Sequence, residues 1–233
     1  MSRYSAGMSF AQTFDRFLAL TRELWSSQPG WILALSALSG LLYLLPQPAV
    51  APLGFVHVLA LATLSVFWVK VAAREGRLDA AAFEGKVPDW LAYLGVALGV
   101  FVVFMALAVL FFLPVFLLPF LIAVTVFLWL GLALLLVFYE PVVYVEAEGF
   151  VEAMMQTWTL VRRFEQRPAL LEARFWYPVL LGLAAVLPQI FLPERGFSGA
   201  AGNFLLALVQ IPWFAAQLVV LYENIWRGAR ELR

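Results

Sequence analysis

Between Leu91 and Tyr139 the chain carries no charged residue, and Glu140 ends the run. One helix needs about 20 apolar residues to cross the hydrocarbon core of a bilayer. The tract is more than twice that long, so it has to fold back on itself. The segment FFLPVFLLPF predicts where, because Pro114 and Pro119 each remove a helix hydrogen bond.

The rest of the chain agrees with a membrane solvent. It has 233 residues, 64% hydrophobic and 13% charged, against about 45–50% and about 25% in soluble domains. Mean hydropathy is +0.91. Fifteen basic and fifteen acidic residues leave no net charge, so nothing marks a nucleic-acid partner. Without cysteine, disulfides, thiolate metal sites and Cys lipidation are excluded. The first 27 residues include Arg3, Asp15, Arg16, Arg22 and Glu23. They have no early apolar core, so they are expected to stay in the mature protein rather than act as a signal peptide.

Apolar runs predict one all-α membrane domain over 1–233 with six spans, at about 29–45, 51–69, 91–113, 115–139, 175–191 and 202–222. Lys and Arg test this count independently. With a cytoplasmic N-terminus, the inner segments hold Arg3, Arg16 and Arg22, then Lys70, Arg74, Arg77 and Lys86, then Arg162, Arg163, Arg167 and Arg174, and finally Arg227, Arg230 and Arg233. Only Arg195 falls outside. This asymmetry predicts a cell-membrane protein with both termini in the cytoplasm. The outer connections are short, so a soluble partner would dock on the inner side.

Two amphipathic helices are expected at the inner interface. The first, 9–26 (SFAQTFDRFLALTRELW), sets Phe10, Phe14, Phe17, Leu18, Leu24 and Trp25 against Gln12, Asp15, Arg16, Arg22 and Glu23. Ser9 and Gln12 form a capping-box pattern. The second, 149–165, has a narrow polar strip of Glu152, Gln156, Thr159 and Arg163. It is expected to pack on the bundle through Phe150, Met154 and Trp158. Glu148 and Glu152 suit its N-terminus and Arg162 and Arg163 its C-terminus. Aligning Ser9-Phe10 with Gly149-Phe150 pairs Gln12 with Glu152 and Leu18 with Trp158, the mark of a parallel repeat of interfacial helix plus hairpin.

The N-terminal helix, the central double span and the pattern E-x-x-G-F-x-E-A-x-x-x-x-W-x-L-V-R, from Glu146 to Arg162, resemble the membrane-domain family found attached to some glycerophosphoryl diester phosphodiesterases and also widespread as stand-alone six-helix proteins. The resemblance implies a six-helix membrane fold. It does not imply phosphodiesterase activity, since that domain's metal-dependent chemistry uses several histidines and this chain has one.

Polar residues within the spans are the functional candidates. Asn203, Gln210, Gln217 and Asn224 recur every seven positions, and so lie along one stripe of the last helix. They read either as hydrogen-bonding glue, the average behaviour of such residues, or as the polar lining of a substrate path or a subunit seam. Gly95 with Gly99 and Ser36 with Gly40 permit close helix approach, expected within the bundle. His57 sits in the second span, either as a proton or ligand site or held by Thr63, Ser65 or a backbone carbonyl. Glu140 lies between Tyr139 and Pro141 at the membrane boundary, either as a functional acid or as a helix-end acid that is solvated or paired with Arg162, Arg163 or Arg174. Trp158, Arg162, Arg163 and Arg167 are candidates for lipid or partner contact.

No nucleophile–base pair, HExxH or P-loop occurs, and no cofactor or metal is implied. The expected function is that of a non-catalytic membrane subunit, helper or scaffold, with the bilayer and a membrane complex or cytoplasmic protein as partners. The alternative is a transporter or binding protein for a lipid or small amphipathic molecule, since prolines that break spans accompany mid-membrane sites.

Overall fold

The computed structural model describes residues 8–117, 126, 131, 139–162, 173–192 and 196–227. Every regular element among them is helical. Local signals account for most boundaries. Helix α1 (Phe10–Ser27) begins at a complete capping box, with the Gln12 N–H on Ser9 Oγ at 3.3 Å and the Ser9 N–H on Gln12 Oε1 at 2.9 Å. Helices α2 (Pro29–Leu42) and α3 (Gln47–Glu75) both open with proline in the first turn, where its missing N–H costs nothing. Gly76 stops α3 in the left-handed region, φ 71°. The short α4 (Ala80–Phe83) is capped by Asp79 and the long α5 (Trp90–Leu117) by Asp89.

Residues 139–146 are also helical. They are followed by α6 (Phe150–Arg162), α7 (Ala173–Val186), a 3-10 turn (Leu187–Phe191), α8 (Phe197–Leu221) and a π-helical turn (Tyr222–Arg227). Among the described residues three helices are long and apolar enough to cross a membrane: Pro48–Glu75, Trp90–Leu110 and Phe197–Asn224. Pro29–Leu42 and Phe175–Gln189 are apolar but shorter.

Two sequence expectations change. Helix α5 does not end at Pro114 but continues to Leu117. An apolar helix tolerates such a proline when neighbouring groups take up the freed carbonyl. The fifth segment is not one helix over 175–191, because the α-helix gives way after Val186 to the 3-10 turn that contains Pro188. Most of the expected fourth span, 115–139, lies outside the described residues, as do Pro119 and Arg195.

Helix α8 is the hub, packing against α1, α2, α3 and α7. Gly40 brings α2 against it so closely that a Cβ there would lie 2.8 Å from the Ala200 carbonyl. Helices α3 and α5 run antiparallel, with Phe67 on Trp90 and Tyr93 near one end and Phe55 on Phe101 further along. Phe17 of α1 stands edge-on to Trp213, with ring centroids 4.5 Å apart. Thr13, Phe17, Leu20 and Leu24 form the buried stripe of α1, while Phe10 is 50% exposed and Leu18 37%.

Candidate functional site

The polar chemistry of the described chain gathers where α1 crosses the ends of α3 and α8. Arg16 donates from Nε and Nη2 to the two carboxylate oxygens of Glu223, at 3.0 and 2.6 Å, and Nη2 also reaches the Gly76 carbonyl at 2.6 Å. Hydrogen bonding to Glu223 holds the Arg16 guanidinium above its usual pKa, outweighing partial burial. Two turns further on, Glu23 accepts the Leu78 N–H at 2.7 Å, and a turn beyond it Ser27 Oγ donates to the Leu78 carbonyl at 2.7 Å. The sequence pattern places Arg16 and Glu23 only on the polar face of an interfacial helix. Their partners lie more than fifty positions away, beyond any local pattern.

Lys70 is the second site that sequence reading missed. Its side chain is buried, and Nζ donates to the carbonyls of Ala147 at 2.7 Å and Val145 at 3.3 Å. These carbonyls end the helical stretch 139–146, where the helix dipole favours a cation. On that stretch Tyr144 donates to the carboxylate of Glu140 one turn earlier. Glu140 therefore has a tyrosine as its described partner. Of the arginines expected beside it, Arg163 lies outside the described residues, and for Arg162 and Arg174 only the main chain is described.

The stripe on α8 divides between two neighbours. Asn203 donates to Ser39 on α2 through both the carbonyl and Oγ, each at 3.0 Å. Gln210 donates to the Ala185 carbonyl at 2.8 Å, and Trp213 to the Leu181 carbonyl at 2.8 Å. Donors one turn apart on α8 thus grip acceptors one turn apart on α7. Gln217 is buried against Gly182, where no Cβ fits. His57 is half-buried, with the Leu35 backbone within hydrogen-bonding reach, while Thr63 donates to Leu59 in its own helix. The structure joins none of Glu140, His57, Gln210 and Gln217 to another.

Helix α6 climbs beside α5 in the same direction. Gly95 faces the Phe150 main chain, Gly99 faces Phe150 and Ala153, and Met154 packs on Val103 and Leu107. Sequence reading expected the seam to be made by Phe150, Met154 and Trp158. Ala153 and Thr157 are the fully buried residues, whereas Phe150 and Trp158 are each 40% exposed. Two glycines on α5 let the small residues of α6 approach its backbone, and this turns the large rings outward. Helix α1 rests on α8 and α6 on α5, so these two helices have different partners. The polar strip of α6 bonds locally, with Glu152 accepting from the Glu148 N–H and from Gln156.

Between α5 and α6 lies a cavity of about 290 Å³ lined only by apolar residues: Val102, Val103, Ala106, Met154, Met155 and Trp158. Of the other candidates for lipid or partner contact, Arg163 and Arg167 lie outside the described residues, and Arg162 ends α6. Among the described residues no three His, Asp or Glu side chains are grouped to hold a metal ion. Comparison with family models, curated proteins and solved structures returns no match.

Proposed function

We propose that the protein is a non-catalytic subunit, helper or scaffold of the cell membrane. In this reading it has six spans, cytoplasmic termini and the architecture of the membrane-domain family that its sequence resembles. The observation that carries the reading is the use of polar side chains within the apolar helices. Asn203, Gln210, Trp213 and Lys70 each bond one helix to another segment of the chain. Such bonds fix a bundle in a medium that offers no hydrophobic drive between helices. The test is gentle solubilisation followed by identification of what copurifies. A stoichiometric protein partner is the expected result, and its consistent absence across mild detergents would sink the reading.

A second reading has one observation in its favour. The apolar cavity between α5 and α6 is a concave, preformed space of the kind that binds small molecules, which supports binding of a lipid or small amphipathic molecule. Copurification of a defined lipid without protein would favour it.

A further inference from the structure

We infer that the cavity between α5 and α6 is a binding site for a single hydrocarbon chain of a membrane lipid. The inference deepens the second reading above and rests on it. It begins with what the walls exclude. Val102, Val103, Ala106, Met154, Met155 and Trp158 present no polar surface to the space. A water molecule needs two to four polar partners to be held, and an ion or headgroup needs more. The occupant is therefore apolar.

Size and position narrow the choice. The space of about 290 Å³ between two packed helices admits an unbranched methylene chain, and its position supplies one. Val102 is 40% and Met155 62% exposed at the mouth, and the flank of α5 continues through Met105, Val109 and Leu110 at 44%, 60% and 60%. All of these α5 residues belong to the apolar segment Trp90–Leu110, so the mouth opens where acyl chains are the solvent.

Transfer of a chain from bilayer to cavity gains nothing from the hydrophobic effect, since both are hydrocarbon. The gain is contact. An unfilled space leaves its lining atoms without dispersion partners, and two adjacent methionines can adapt to a flexible chain. The chain thereby becomes part of the seam between α5 and α6.

The test uses the full-length protein in vesicles of phosphatidylcholine bearing a photoactivatable diazirine on one acyl chain, with label mapped by peptide mass spectrometry. The expected result is label concentrated on Met154, Met155 and Trp158 above the level at Val109 and Leu110, and lost in Ala106→Phe, which fills the cavity from its exposed edge. Thermal unfolding confirms that the variant is folded, and Val102→Phe replaces it if it is not. Equal label on cavity and flank, or label unchanged by filling, overturns the site. Lipid counted per purified chain separates the two failures. Retained lipid with label elsewhere overturns this site alone, whereas no retained lipid overturns the second reading itself.

Discussion

Arg16 and Glu223 are 207 positions apart and meet in a two-pronged ion pair that fastens the first described helix to the turn after the last. Their side chains are 24% and 12% exposed, so the pair is shielded from solvent more than a surface bridge. Replacing Glu223 with Gln keeps the shape and removes the charge. The expected loss is about 1–2 kcal/mol of stability, read as a lower unfolding midpoint in mild detergent. In a double-mutant cycle with Arg16→Gln, the two changes should be less than additive. Full additivity would mean that the two side chains do not interact.

Gly99 sets the approach of α6 to α5. A Cβ there would lie 2.6 Å from the Phe150 carbonyl and 2.8 Å from the Ala153 Cβ. Gly99→Val is expected to push the helices apart and lower the midpoint, at a cost of about 1–3 kcal/mol for overpacking. Gly54 sits in α3 with nothing within 4 Å of its added Cβ. Gly54→Ala should be neutral or stabilising by up to about 1 kcal/mol through helix propensity. The contrast between the two variants separates packing from propensity.

Lys70→Met retains the apolar stem and removes the donor from the Val145 and Ala147 carbonyls. Because those carbonyls end a helix, the variant should lose about 1–3 kcal/mol. Hydrogen exchange should rise first near residues 145–149. Unchanged protection there would show that Lys70 does not cap the segment.

Trp213→Phe keeps a ring beside Phe17 while removing the bond to the Leu181 carbonyl. Gln210→Leu removes the neighbouring bond to Ala185. Each is expected to cost about 0.6–2 kcal/mol, with the loss concentrated in α7. Cross-linking between cysteines placed at 185 and 210 reads the Trp213 contribution, because the chain has no cysteine of its own. Equal cross-linking in wild-type and Trp213→Phe backgrounds would show that the grip on α7 does not depend on Trp213.

The proposed orientation has a similar test. Single cysteines at Val87 and Phe197, 92% and 82% exposed, are expected to react with an impermeant maleimide from opposite sides of the membrane. Labelling of both from one side would rule out cytoplasmic termini joined by six spans.

Properties that act within a turn or over a whole segment are legible in the amino-acid order alone. The Ser9–Gln12 box, which starts α1, and Gly76, which stops α3, are local because the groups involved lie within four positions. Hydropathy is a segment property, and it marks α3, α5 and α8 as apolar enough to cross a membrane. Only the tertiary structure decided which residues face which. In soluble proteins the apolar face of a helix points to the core, but in hydrocarbon both the core face and the lipid face are apolar. Leu107 is 8% exposed and Leu110 60% on the same helix, and no pattern tells them apart. The same ambiguity hid the small-residue seam at Gly99 and Ala153 behind the larger Phe150 and Trp158. Arg16 with Glu223, and Lys70 with Ala147, were beyond reach for another reason. Each pair forms only when helices distant in sequence are brought end to end, and nothing in a charged residue's neighbours in sequence names its partner in space.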